Sequence, residues 1–83
     1  LSNKIPAIVT ELTGLLIAQL PHPSEVAPET DLISDLALES VQIMEFIVEV
    51  EDHYEIAISL EALAETRTLE QIAQLVSNIL DNR

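Results

Sequence analysis

The sequence predicts an all-α fold, a small four-helix bundle of three longer helices plus one short, with a long first connection. Apolar residues recur at three- and four-residue spacing in three separate stretches, the mark of helices with one buried face. Pro21, Pro23 and Pro28 gather in one stretch and separate the first helical pattern from the rest. Only residues 55–59 alternate in polarity, around Ile56 and Ile58, and they are too short for a strand and read as an extended link. With 83 residues against the roughly 100–200 of a usual domain, the chain is expected to be a single domain, 1–83. An apolar content of 48% outweighs the disorder tendency of a formal charge of −12. There is no cysteine, so neither disulfides nor cysteine-bound zinc can staple the core, and packing must hold it.

The first helix is predicted over 5–20, with Ile5, Ile8, Val9, Leu12, Leu15, Leu16 and Leu20 on one face. Ser2 or Asn3 stands where a start cap belongs, and Pro6 fits the first turn, where a missing N–H costs nothing. Gly14 lies inside the pattern at a cost of about 1 kcal/mol relative to alanine, and close packing against another helix is its expected reason. Residues 21–38 form a connection of a length that is uncommon unless functional or internally packed. Leu32, Leu36 and Leu38 are its expected anchors, with room for one helical turn among them.

The second helix is predicted over 40–54. Phe46, Ile47, Val50 and Tyr54 share a core face, with Ile43 beside them. Val41, Met44 and Val48 make a second, narrower stripe. A surface helix needs one apolar face, so two mean either burial on most sides or a stripe kept for a partner. Ser59 is placed to cap a short third helix, 60–65. Thr68 and Gln71 form a capping-box pair for a last helix, 69–80, carrying Leu69, Ile72, Ala73, Val76, Ile79 and Leu80 on one side.

Charge narrows the function. Lys4, Arg67 and Arg83 are the only basic residues, and 13 of the 15 acids lie between Ile5 and Thr66. Such a chain repels phosphate backbones and anionic membrane surfaces, so neither nucleic acid nor membrane is an expected partner. No apolar run approaches the roughly 20 residues of a membrane span, and the start lacks a signal-peptide pattern, so a cytoplasmic setting is expected by default. The chain opens on Leu1 rather than Met, as a trimmed or excised piece would. Glu39, Glu45, Glu49, Glu51, Asp52 and Glu55 crowd the second helix region without a local cation to offset them. They read either as a solvated face or as a docking surface for a basic partner, with Val41, Met44 and Val48 as its apolar contact.

Catalytic chemistry is thin. His22 sits between prolines, and His53 near the end of the second helix suits the helix dipole; both read as structural or solvent-facing. One glycine cannot make a phosphate-cradling loop. Asp31, Asp35 and Glu39 are spaced by four and lack the central glycine of a calcium loop. No metal site and no enzyme is expected. Ser40 stands out at the start of the second helix, where unpaired N–H groups and the dipole favour a phosphate ester. The simpler reading of Ser40 is an N-cap.

The run Asp35-Leu36-Ala37-Leu38-Glu39-Ser40-Val41, followed by an acidic helix, resembles the phosphopantetheine attachment motif of acyl and peptidyl carrier proteins. That motif typically reads Leu-Gly-x-Asp-Ser-Leu. The resemblance extends to Glu49-Val50-Glu51-Asp52-His53-Tyr54-Glu55-Ile56-Ala57-Ile58 and to the turn Thr66-Arg67-Thr68-Leu69. It implies a monomeric acyl carrier protein of a fatty acid, polyketide or specialised pathway. Ser40 would receive 4′-phosphopantetheine from CoA through a phosphopantetheinyl transferase. Glu39, Val41, Met44, Glu45, Val48 and Asp52 would face acyl-loading and acyl-processing enzymes. An aminoacyl or peptidyl carrier is the near alternative, and an unmodified acidic interaction module the more distant one. Glu39 stands where Asp is usual, Val41 replaces Leu, and Ala37 replaces a Gly, which points away from general fatty acid synthesis.

Overall fold

A computed structural model of the chain describes residues 4–20 and 25–82. Its helices are α1 (Ile5–Gln19), α2 (Ser40–Tyr54), α3 (Leu60–Ala64) and α4 (Leu69–Asp81). Among the described residues, extended pairing is confined to one antiparallel bridge between Asp31 and Thr68. The expected bundle is therefore present, and α1 and α3 each end one residue before the sequence reading placed it. The expected caps Ser2 and Asn3, and Pro21, His22 and Pro23 in the connection, lie outside the described residues.

The helices form where periodicity and caps agree. Ile8, Leu12 and Leu16 of α1 are buried against Phe46, Ile47 and Val50 of α2 and Leu69, Ile72, Ala73 and Val76 of α4. The Ser59 hydroxyl accepts from the Ala62 N–H at 3.1 Å and starts α3. The Thr68–Gln71 capping box is complete, each backbone N–H donating to the other's side chain at 3.1 Å. α2 stops at Glu55, which takes the left-handed conformation (φ 55°). Lys4 pairs with Asp81 at 2.5 Å, setting the start of α1 beside the end of α4. The Tyr54 hydroxyl donates to Glu11, tying the end of α2 to the middle of α1. Burial, then the hydrogen bond to Glu11, pushes the Tyr54 phenol above its ordinary range.

Gly14 departs from expectation. It is exposed, and a Cβ built on it would meet nothing within 4 Å. Among the described residues no neighbouring helix requires a glycine there.

The described part of the long connection is packed where its leucines fall. Leu32 and Leu38 are buried and Leu36 is half-buried. Between them lies one helical turn, closed by the Asp35 N–H on the Asp31 carbonyl at 2.9 Å and the Ala37 N–H on the Ile33 carbonyl at 3.0 Å. The Asp31 carboxylate accepts the N–H groups of Ile33 and Ser34, each at 2.8 Å. Arg67 then clasps this turn to the α3–α4 link, with Nε 2.9 Å from Asp31 and Nη2 3.0 Å from the Ser34 hydroxyl. The Ser34 N–H holds the Asp31 carboxyl below the usual carboxylate range, with smaller contributions from Ile33 and Arg67, against an opposing effect of burial.

Candidate functional site

The turn that ends the long connection delivers Ser40 to the surface. Ala37 adopts the left-handed conformation (φ 53°) and reverses the chain. Leu38 then enters the core, its N–H on the Leu32 carbonyl at 3.2 Å. Glu39 is extended and caps α2, with its N–H donating to Gln42 Oε1 at 2.9 Å. The N-cap reading of Ser40 is thus corrected: Glu39 holds that position, and Ser40 is the first helical residue. Its side chain is exposed, and its hydroxyl makes no hydrogen bond to the described residues. The oxygen sits where first-turn N–H groups lack intrahelical partners and the dipole is positive.

Beside Ser40 lies an apolar groove of about 430 Å³, lined by Gln19 at the end of α1 and by Val41, Met44, Glu45, Val48 and Glu49 of α2. The stripe that the sequence left unassigned forms its floor. Val41 is 66% exposed, Met44 44% and Val48 48%, so this is an open face, not a helix buried on most sides. Glu39, Glu45 and Asp52 are exposed along the same helix, with Asp52 one turn beyond Val48. A separate apolar cavity of about 250 Å³ lies among Leu32, Ile43, Leu63, Thr66 and Ile72. Asp31 and Asp35 are engaged within the turn, where Asp35 Oδ2 accepts the Asp31 N–H at 2.8 Å. Among the described residues no group of acids and histidines could hold a metal ion. His53 is exposed, 3.8 Å from Glu11, well away from Ser40 along α2.

The family model for the phosphopantetheine attachment site matches residues 7–76. The chain belongs to this family. It is similar to the meromycolate extension acyl carrier protein of Mycobacterium leprae, 32% identical over 75 residues that cover 90% of this chain and 60% of that protein. The corresponding protein of Mycolicibacterium smegmatis is 33% identical over 72 residues, covering 87% of this chain and 67% of its own. The chain therefore spans about 60% of the length of the mycobacterial relative. A solved Toxoplasma-specific mitochondrial acyl carrier protein superposes with a TM-score of 0.80 at 22% identity, covering 92% of this chain and 90% of the other, which shows the shared fold.

The residues fit the family's prosthetic group. A phosphate ester on Ser40 would meet a helix N-terminus rather than a packed wall. A shaft beyond it would border the apolar side chains of Val41, Met44 and Val48. Gln19 and Glu49 also border the groove, and neither is among the site residues that the sequence singles out. Glu49 was legible only as one more acid, and Gln19 carries no local signal, since only the packing of α1 beside α2 brings it there.

Proposed function

We propose that this chain is an acyl carrier protein, acting as a single carrier domain over 1–83, with Ser40 Oγ as the attachment atom. The observation that carries this reading is the exposed, unengaged Ser40 hydroxyl at the start of α2 in a chain of the phosphopantetheine family. In the loading step the Ser40 oxygen forms a new bond to the phosphorus of the pantetheine phosphate. The pyrophosphate link of CoA breaks, adenosine 3′,5′-bisphosphate leaves, and the hydroxyl proton passes to the transferase. When bound, the group supplies a terminal thiol that holds an acyl chain as a thioester.

The protein's own residues position and present. Leu38 and the capped Glu39 fix the height of Ser40 above the bundle. Glu39, Glu45 and Asp52 offer negative charge to basic enzyme surfaces, and Val41, Met44 and Val48 offer the apolar contact. That combination suits fast, reversible encounters more than permanent assembly. The similarity to meromycolate extension carriers supports a fatty acyl cargo.

The test is the mass of the protein isolated from its natural host, before and after hydroxylamine. A fatty acyl group released by hydroxylamine is expected. An amino acid in its place would support the aminoacyl alternative, and a protein without any arm would support an unmodified interaction module.

A further inference from the structure

We infer that the groove bordered by Gln19, Val41, Met44 and Val48 seats the phosphopantetheine arm in the unengaged holo protein, covering the docking stripe until an enzyme displaces it. This rests on the proposal that Ser40 is the attachment atom. Ser40 borders this groove, whereas the cavity lined by Leu32, Ile43, Leu63 and Ile72 and the groove at Ile5, Val9 and Pro28 do not include it. A substituent on its oxygen therefore starts at the groove.

The lining matches the chemistry of the shaft. Val41, Met44 and Val48 present apolar surface to its geminal methyls and methylenes. The Gln19 side-chain amide can donate and accept toward its two amides. Glu45 and Glu49 at the rim accept from amide N–H groups and repel an anionic occupant, which leaves the phosphate at the positive helix end. From Ser40 to Val48 the helix rises about 12 Å, at about 1.5 Å per residue. The extended arm spans about 17 Å at about 1.2 Å per bond, by analogy with an extended backbone. The groove therefore holds the shaft and leaves the thiol beyond Val48, open to enzymes. Tethering makes the contact intramolecular, so weak interactions suffice to keep the groove filled. A transferase docking on the bare stripe of the unmodified protein would meet a covered stripe on its product, which favours release.

Methyl-labelled protein compared before and after transfer of the arm tests the inference, with intact mass confirming the modification first. The Met44 and Val48 methyl resonances are expected to shift on modification and to show NOEs to the geminal methyls of the arm, while the Leu63 and Ile72 methyls stay in place. Val48→Glu, at an exposed helix position, is expected to abolish those NOEs while keeping the wild-type circular dichroism. Unmoved Met44 and Val48 methyls on a protein that has gained the arm, or NOEs to Leu63 and Ile72, would overturn the inference alone. A chain that gains no mass would overturn the underlying assignment of Ser40 and this inference with it.

Discussion

Ala37→Gly is expected to stabilise the fold. Ala37 sits at φ 53° three residues before Ser40, where its backbone reverses the chain into α2. The left-handed conformation costs an L residue roughly 1–2 kcal/mol, and glycine removes that cost. Glycine also frees the unfolded chain, which offsets about 0.4–1 kcal/mol of the gain. Ala37 is exposed, so the lost methyl forfeits no core packing. The net expectation is a gain of about 0.5–1 kcal/mol, or a Tm rise of about 2–8 °C for a domain of this size. Urea unfolding checks it: the midpoint should rise with the slope unchanged. Glu55→Gly, at φ 55° on the end of α2, is expected to move in the same direction. An Ala37→Gly protein that melts at or below the wild-type temperature would refute the strain argument.

Gly14→Ala is expected to add about 0.4–1 kcal/mol, because the site is helical and open; a lower Tm would mean that α1 packs more closely there than the structure shows. Raising ionic strength from a few millimolar to about 0.1 M, where the Debye length falls to about 10 Å, is expected to raise Tm by screening the acids of α2, and a flat response would count against that repulsion. Asp31 has a lowered pKa in the folded state. It therefore stabilises the protein above about pH 4, the unfolded carboxyl range, and loses that effect as pH falls through its folded value. The Tm gap between wild type and Asp31→Asn should be wide at pH 7 and narrow as pH falls below about 4; a gap that stays constant would contradict the role given to the hydrogen bonds that the Asp31 carboxylate accepts from Ser34, Ile33 and Arg67.

The helices were legible because local and global signals agree in this chain. Phe46, Ile47 and Val50 fall on one face by spacing alone, and Ser59 and Thr68–Gln71 mark starts that the structure keeps. The stripe of Val41, Met44 and Val48 was legible as surplus apolar residues, and its exposure resolves what it is not. Other features depend on contacts distant in sequence. The Arg67 clasp joins positions 36 and 33 residues apart, and the hydrogen bond from Tyr54 to Glu11 spans 43. The Ile58 N–H donates to the Glu51 carboxylate at 2.8 Å, so one acid of the crowded helix is used inside the protein, which composition cannot show. Gly14 misled because a helical glycine more often signals close approach than open solvent. Ser40 misled in part because cap preference does not separate a serine at the cap from one a residue later, and the Glu39 N–H on Gln42 decides it.

Carriage by this chain requires that one oxygen, Ser40 Oγ, accept the arm. Purified protein incubated with CoA and a broad-specificity phosphopantetheinyl transferase should gain one phosphopantetheine by intact mass, and Ser40→Ala, altered at an exposed helical position, should fold and gain nothing. A wild-type protein that stays at its starting mass, or a Ser40→Ala protein that is modified equally, would contradict it.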